Sequence, residues 1–239
     1  MELHWIDHII FGIFGLLFPI NSMFSTQPKL AEIEEWEPDM KQMLYISNSI
    51  SLLVMALIVL AAWYFTDRTW PDIGLQMPVF KEWIWPLIFF IIFNLLYVLD
   101  AWLELRSKKA RLKAHAHWKK HTPFLPENMK EMIQFIPLAF SAGINEEIVF
   151  RGFFINYFLM LFVGHEYQYA LALAIPSILF AIVHYYQGWK AVLKIGILSI
   201  FFGLLYITTQ SLLIPIILHV LIDLIGGIIS WKYLSKEVK

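Results

Sequence analysis

Residues 43–65 read MLYISNSISLLVMALIVLAAWYF, with no Asp, Glu, Lys or Arg. As a helix, ~20 apolar residues cross the ~30 Å hydrocarbon core of a bilayer. Backbone polar groups in lipid have to be satisfied within the segment, so a helix is the form such a stretch takes. Six more apolar segments flank it, at roughly 5–24, 83–105, 143–163, 169–187, 190–207 and 210–231. Only 15% of the 239 residues are charged and the mean hydropathy is +0.64, whereas a soluble domain has ~25% charged residues. The expected fold is all-α: a polytopic membrane helix bundle of seven or eight transmembrane helices, plus a short interfacial or re-entrant helix.

The connecting segments set the expected orientation. Residues 106–130 hold Arg106, Lys108, Lys109, Arg111, Lys113, Lys119, Lys120 and Lys130. The positive-inside rule makes this loop cytoplasmic. Counting alternately from it puts Lys190 and the Lys232, Lys236 and Lys239 tail inside too, with the N-terminus outside. The expected location is the cell membrane, multi-pass. Glu2, His4, Asp7 and His8 precede the first apolar run, so that run does not read as a cleaved signal peptide. An acidic linker (Glu32, Glu34, Glu35, Glu37, Asp39) follows it. Many aromatics, among them Trp5, Trp63, Trp83, Trp102 and Trp231, stand at segment edges, where an interfacial belt belongs. The basic loop can meet anionic headgroups of the surrounding lipid bilayer. The absence of cysteine removes thiolate chemistry and cysteine-based zinc sites. A net charge of −1 points to no nucleic-acid partner.

Residues 131–163 exceed one simple span, and Pro137 and Gly143 offer breaks. The favoured partition starts the spanning helix at Gly143 and leaves 131–142 as the short interfacial or re-entrant helix. Glu146 then lies only ~5 Å from the start of the span, level with His184 near the end of the next one. A helix beginning at 131 would carry Glu146 about 20 Å deep and past His184.

Three polar groupings interrupt the apolar segments. Glu146, Glu147 and Arg151 fall within one run, where each ionised group costs at least ~2.5–3.5 kcal/mol at membrane depth and marks a candidate functional site. Glu147 and Arg151 are four apart, in the favourable acid-before-base order, so arginine can neutralise one carboxylate. Glu146, about 100° further around the helix, is left as a free base. Taken alone, Glu147 and Arg151 can equally be a structural ion pair. Phe180-x-x-x-His184 closes a nearly apolar run; by itself His184 can be an interfacial or hydrogen-bonded histidine. His219-x-x-x-Asp223 puts two polar groups on one helix face, where a plain His–Asp hydrogen bond is the alternative. Polar side chains in spans turn inward, so the three groupings can share one cavity.

Glu146-Glu147-Ile-Val-Phe-Arg151-Gly152, then Phe180-Ala-Ile-Val-His184, then His219-Val-Leu-Ile-Asp223 resemble, in order and spacing, the CAAX protease and bacteriocin-processing (CPBP, or Abi) family of intramembrane endopeptidases. The resemblance lies within 141–231. It implies residues 131–231 as a CPBP/Abi-like catalytic core; residues 1–130, which it does not cover, are expected from hydropathy and charge as N-terminal membrane helices with the basic cytoplasmic loop, and 232–239 as a cytoplasmic tail. It further implies hydrolysis of a peptide bond in a membrane-associated peptide or protein. Glu146 and His184 would activate the water and His219 with Asp223 would stabilise the transition state. Glu147 and Arg151 would shape and charge-balance the site. The family's prenyl-protein branch carries asparagine where this chain has Asp223, and an ionised aspartate has no hydrogen to donate to an oxyanion. Two mechanisms therefore stay open: a glutamate-dependent one without a cofactor, and a zinc-dependent one drawing on Glu146, His184, His219 and Asp223. A non-catalytic membrane scaffold or bacteriocin self-immunity protein, using the same cluster for helix packing, is the alternative from another class.

Overall fold

The structure is a computed structural model and describes residues 1–26 and 36–234. Glu32, Glu34 and Glu35 of the acidic linker, and Lys236 and Lys239 of the tail, lie outside the described residues. Helices make up the fold, and no strand occurs among the described residues. The helices are α1 (Trp5–Phe24), α2 (Pro38–Phe65), α3 (Ile84–Leu105), α4 (Lys108–His121), α5 (Met129–Glu147), α6 (Asn156–Leu161), α7 (Gln168–Val183), α8 (Trp189–Thr209) and α9 (Leu213–Ile229). Five stretches are long and apolar enough to cross a membrane: Trp5–Phe24, Asp39–Phe65, Ile84–Leu105, Trp189–Thr209 and Leu213–Tyr233. These match five of the seven expected segments closely, and α7 is a shorter apolar helix.

The remaining segment differs from the expectation. No break occurs at Pro137 or Gly143. The helix runs from Met129 through α5, continues as a π-helical stretch over Ile148–Ile155, and passes into α6. Residues 131–142 are therefore the first half of a long helix and not a separate short one. Asn128 starts it, its Oδ1 accepting from the Glu131 backbone N–H at 3.0 Å, which satisfies one of the amides a helix start leaves unpaired. Pro137 removes one backbone donor but does not end the helix, because α5 is held on both sides by α2 and α9.

Gly143 serves a close approach instead. A Cβ there would lie 2.8 Å from the backbone nitrogen of Val220 and 3.2 Å from its Cα. Only glycine lets the α5 and α9 backbones meet at this level, and this crossing sets Glu146 and Glu147 beside His219. The depth argument from chain position fails for a related reason. Arg151 stands two-thirds of the way along the helical run, yet it bonds Ser199 at the midpoint of α8. The long helix therefore starts well beyond the level at which α8 does. Its first turn packs on α2, where Lys41 Nζ and Glu131 Oε2 form a buried pair at 2.8 Å.

Each end of the bundle is tied down. At one end a buried fork joins α1 to the end of α2: Arg68 Nη1 and Nη2 donate to the Asp7 carboxylate at 2.8 and 2.6 Å, beneath the Trp63 ring. At the other lies the basic helix α4, with Ser107 Oγ accepting from the Ala110 amide at its start. His121, at the end of α4, packs against Gly188 in the α7–α8 turn. On the flank of the bundle the α3 acids Asp100 and Glu104 both bind Lys194 of α8, at 2.6 and 2.9 Å.

Candidate active site

The six polar residues singled out in the sequence stand on three helical stretches: Glu146, Glu147 and Arg151 on the long run, His184 at the end of α7, and His219 and Asp223 on α9. Glu147 is the centre of the arrangement. Its side chain is 0% exposed, and its Oε1 accepts two bonds, from Arg151 Nη1 at 2.7 Å and from His219 Nδ1 at 2.7 Å. The first bond is the i, i+4 pair expected from the spacing. The second was not legible in the sequence, which suggested Asp223 as the partner of His219. Asp223 Oδ2 stands 3.9 Å from His219 Nε2, beyond hydrogen-bond reach.

Arg151 is held on all sides. Its Nη2 donates to Ser199 Oγ at 3.0 Å. Its guanidinium carbon lies 4.3 Å from the Phe180 ring centroid and 5.2 Å from that of Phe202. A planar cation between two aromatic faces with a carboxylate at its edge is the environment in which arginine outperforms lysine. Ser199, Phe202 and the second role of Phe180 were missed, since a lone serine or phenylalanine in an apolar span carries no pattern.

Bonding partners settle the imidazole tautomers. A carbonyl oxygen only accepts, so His184 Nδ1, at 2.7 Å from the Phe180 carbonyl, carries the hydrogen and leaves Nε2 with its lone pair. The same reasoning applies to His219, whose Nδ1–H donates to Glu147 and whose Nε2 faces Glu146 Oε2 at 3.7 Å. The Phe180 ring lies between the two imidazoles, 4.6 Å from His184 and 6.0 Å from His219, centroid to centroid.

Two buried carboxylate oxygens, Glu146 Oε2 and Glu147 Oε2, have no hydrogen-bond partner. Orphaned buried acceptors are rare in folded proteins and ask for an explanation. Glu147 retains Arg151 and His219 on its other oxygen. Glu146 has no ion-pair partner nearer than His219 at 3.7 Å, although its side chain is only 14% exposed.

A zinc ion would need its ligand atoms at ~2.0–2.2 Å from a common point. Among the described residues, no group of three or more His, Asp or Glu side chains is gathered closely enough to hold a metal ion. His219 Nε2 stands 3.7 Å from Glu146 Oε2 and 3.9 Å from Asp223 Oδ2.

Residues 128–225 match the family model described as type II CAAX prenyl endopeptidase, Rce1-like. The matched stretch holds all six polar residues above and begins at the Asn128 helix cap, leaving residues 1–127 outside it. The match is in line with the resemblance carried by the three motifs. No curated protein and no solved structure matches the chain.

Proposed function

We propose that the Rce1-like stretch at residues 128–225 is the catalytic core of an intramembrane endopeptidase whose general base is Glu146. The observation that carries this reading is the Glu146 carboxylate: largely buried, with one oxygen lacking any hydrogen-bond partner, beside a neighbouring carboxylate already neutralised by Arg151. A structural ion pair accounts for Glu147 and Arg151 and leaves Glu146 without a purpose.

The chemistry follows from the tautomers. Glu146 Oε2 and the lone pair on His184 Nε2 are both acceptors, so a water between them donates a hydrogen to each and turns its own lone pair toward a peptide carbonyl. Glu146 takes the proton as the O–C bond forms, and later delivers it to the leaving amine as the C–N bond breaks. Glu147 holds His219 through Nδ1, so Nε2 faces the reaction volume. Asp223, on the same face of α9, lies 3.9 Å from that nitrogen and adds a second acceptor to the reaction volume. The substrate is a peptide or protein at the membrane, reaching the site from the end of the bundle that carries the basic helix α4, which we place in the cytosol with the C-terminus.

The test uses full-length protein in liposomes and a pool of internally quenched peptides. Glu146→Gln and His184→Ala should each lower cleavage by ~10²–10⁴-fold, the usual weight of a positioned acid–base group, with unfolding midpoints unchanged. Cleavage retained by both variants would sink the assignment. An inactive wild type together with a strongly destabilised Glu146→Gln variant would favour the scaffold or self-immunity reading.

A further inference from the structure

Peptide hydrolysis needs a hydrogen-bond donor aimed at the oxygen that becomes negative in the tetrahedral intermediate. The six residues above do not supply one. Arg151 gives one N–H of each terminal nitrogen to Glu147 and to Ser199, and its remaining N–H groups are shut in with the guanidinium between the Phe180 and Phe202 rings, its side chain only 2% exposed. The ring N–H groups of His184 and His219 are spent on Phe180 and Glu147. Their Nε2 atoms carry lone pairs in the neutral rings, and Asp223 is an acceptor when ionised.

A donor stands next to them. Tyr186 sits in the single 3₁₀ turn Tyr185–Gln187 that joins α7 to α8. Its ring lies nearly parallel to the His184 imidazole, at 6.1 Å and 29°. Its oxygen accepts from Gln187 Nε2 at 3.1 Å, and its own O–H has no acceptor among the described residues. Burial first, and the Glu146 and Asp223 carboxylates after it, hold its ionisation above the ordinary phenol range, so the hydroxyl keeps its proton. The turn is fixed from behind. Phe124 packs against the Tyr186 ring at 6.1 Å, and Gly188, at φ 90° and ψ 155°, lies against His121. That backbone conformation is essentially restricted to glycine.

Resting on the peptidase reading above, we propose that the Tyr186 hydroxyl is the donor that stabilises the oxyanion, the role that an ionised Asp223 leaves open. As hydroxide adds to the carbonyl carbon, the C=O π electrons move onto oxygen. The Tyr186 O–H hydrogen-bonds that oxygen while its proton stays on the phenol. The Gln187 amide donates into the phenol oxygen and holds its rotor toward the site. When the intermediate collapses, the electrons return to the carbonyl and the hydrogen bond weakens again.

The experiment compares wild type, Tyr186→Phe and Gln187→Leu as full-length proteins in liposomes. Two probes are used: a quenched peptide taken from the cleaved pool, and a membrane-inserting peptide aldehyde beside the matching peptide alcohol. The hydrated aldehyde carries two oxygens on its tetrahedral carbon, as the intermediate does, and the alcohol carries one. Tyr186→Phe should lower kcat by ~100-fold, the usual effect of losing one oxyanion donor, with KM within about twofold. It should also abolish any preference for aldehyde over alcohol and leave alcohol binding unchanged. Gln187→Leu keeps the hydroxyl and should retain at least about a tenth of kcat. A Tyr186→Phe variant that keeps kcat within about threefold, a wild type without aldehyde preference, or equal losses in both variants would overturn the proposal; the last would assign the turn and not the hydroxyl. The aldehyde measurement needs no turnover, so it judges Tyr186 even if Glu146→Gln shows the general-base assignment to be wrong.

Discussion

Arg151→Met should be among the most destabilising single substitutions in this chain. The arginine makes a 2.7 Å charge-assisted bond to Glu147 and a 3.0 Å bond to Ser199, between two aromatic faces. Hydrogen bonds to charged groups contribute about 1.5–3 kcal/mol each, and a desolvated cation–π contact adds up to ~2 kcal/mol. The larger effect is what remains behind. Glu147 is 0% exposed, and removing its partner strands a buried carboxylate, which costs about 3–5 kcal/mol. Methionine recovers part of the packing, so we expect ~4 kcal/mol in SDS-induced unfolding followed by tryptophan fluorescence in mixed micelles. Arg151→Lys keeps the charge but cannot reach Glu147 and Ser199 together, and should lose about 1–2 kcal/mol. The decisive variant is Glu147→Gln with Arg151→Met. Removing both charges should restore stability to within about 1–2 kcal/mol of wild type. It should not restore cleavage, because His219 loses the carboxylate that orients it. A loss below ~1 kcal/mol for Arg151→Met, or a double variant as unstable as the single one, would refute this account of the pair.

Gly143→Ala puts a Cβ against the Val220 backbone and should cost about 1–3 kcal/mol and lower cleavage at least ~10-fold, as the α5–α9 crossing opens. Gly226→Ala, where a Cβ meets nothing within 4 Å, should be neutral or stabilising by up to ~1 kcal/mol; similar losses in both would discount the close approach. Gly188→Ala forces an unfavourable backbone conformation, worth about 1–3 kcal/mol, in the turn that carries Tyr186 and adjoins His184, so unfolding and cleavage assays should report loss together. Asp223→Asn should stay within about tenfold of wild-type activity, since another group supplies the oxyanion donor; a fall to the level of Glu146→Gln would give Asp223 a direct role.

Much of this was legible because lipid imposes strong rules. Five uncharged or nearly uncharged stretches of span length fixed five helices, and the i, i+4 spacing of Glu147 and Arg151 foretold their bond. The long helix was misread at Gly143. Glycine in a sequence marks either a turn or a contact, and only the facing helix decides which. The partner of His219 was hidden for the same reason. Asp223 is its neighbour along the chain, whereas Glu147 becomes one through the crossing of α5 and α9, which no local spacing encodes. Tyr186 gave no signal at all: a tyrosine after a span reads as an interfacial aromatic until the turn shows which way it faces.

Arg151 also constrains how the molecule can move. Through Glu147 it reaches His219 on α9, through Ser199 and Phe202 it reaches α8, and through Phe180 it reaches α7, all from the long helix that carries it. One side chain thus registers four helices against each other, like a dowel through four boards. A slide of any one by a helical turn would break the contact that helix makes with Arg151 or Glu147. The four are held in one register, so breathing that admits a peptide is expected from the helices outside that group that are least tied to it, above all the thinly covered α3. Thickening or thinning the bilayer around that outer set should therefore alter access to the site while its internal geometry stays unchanged.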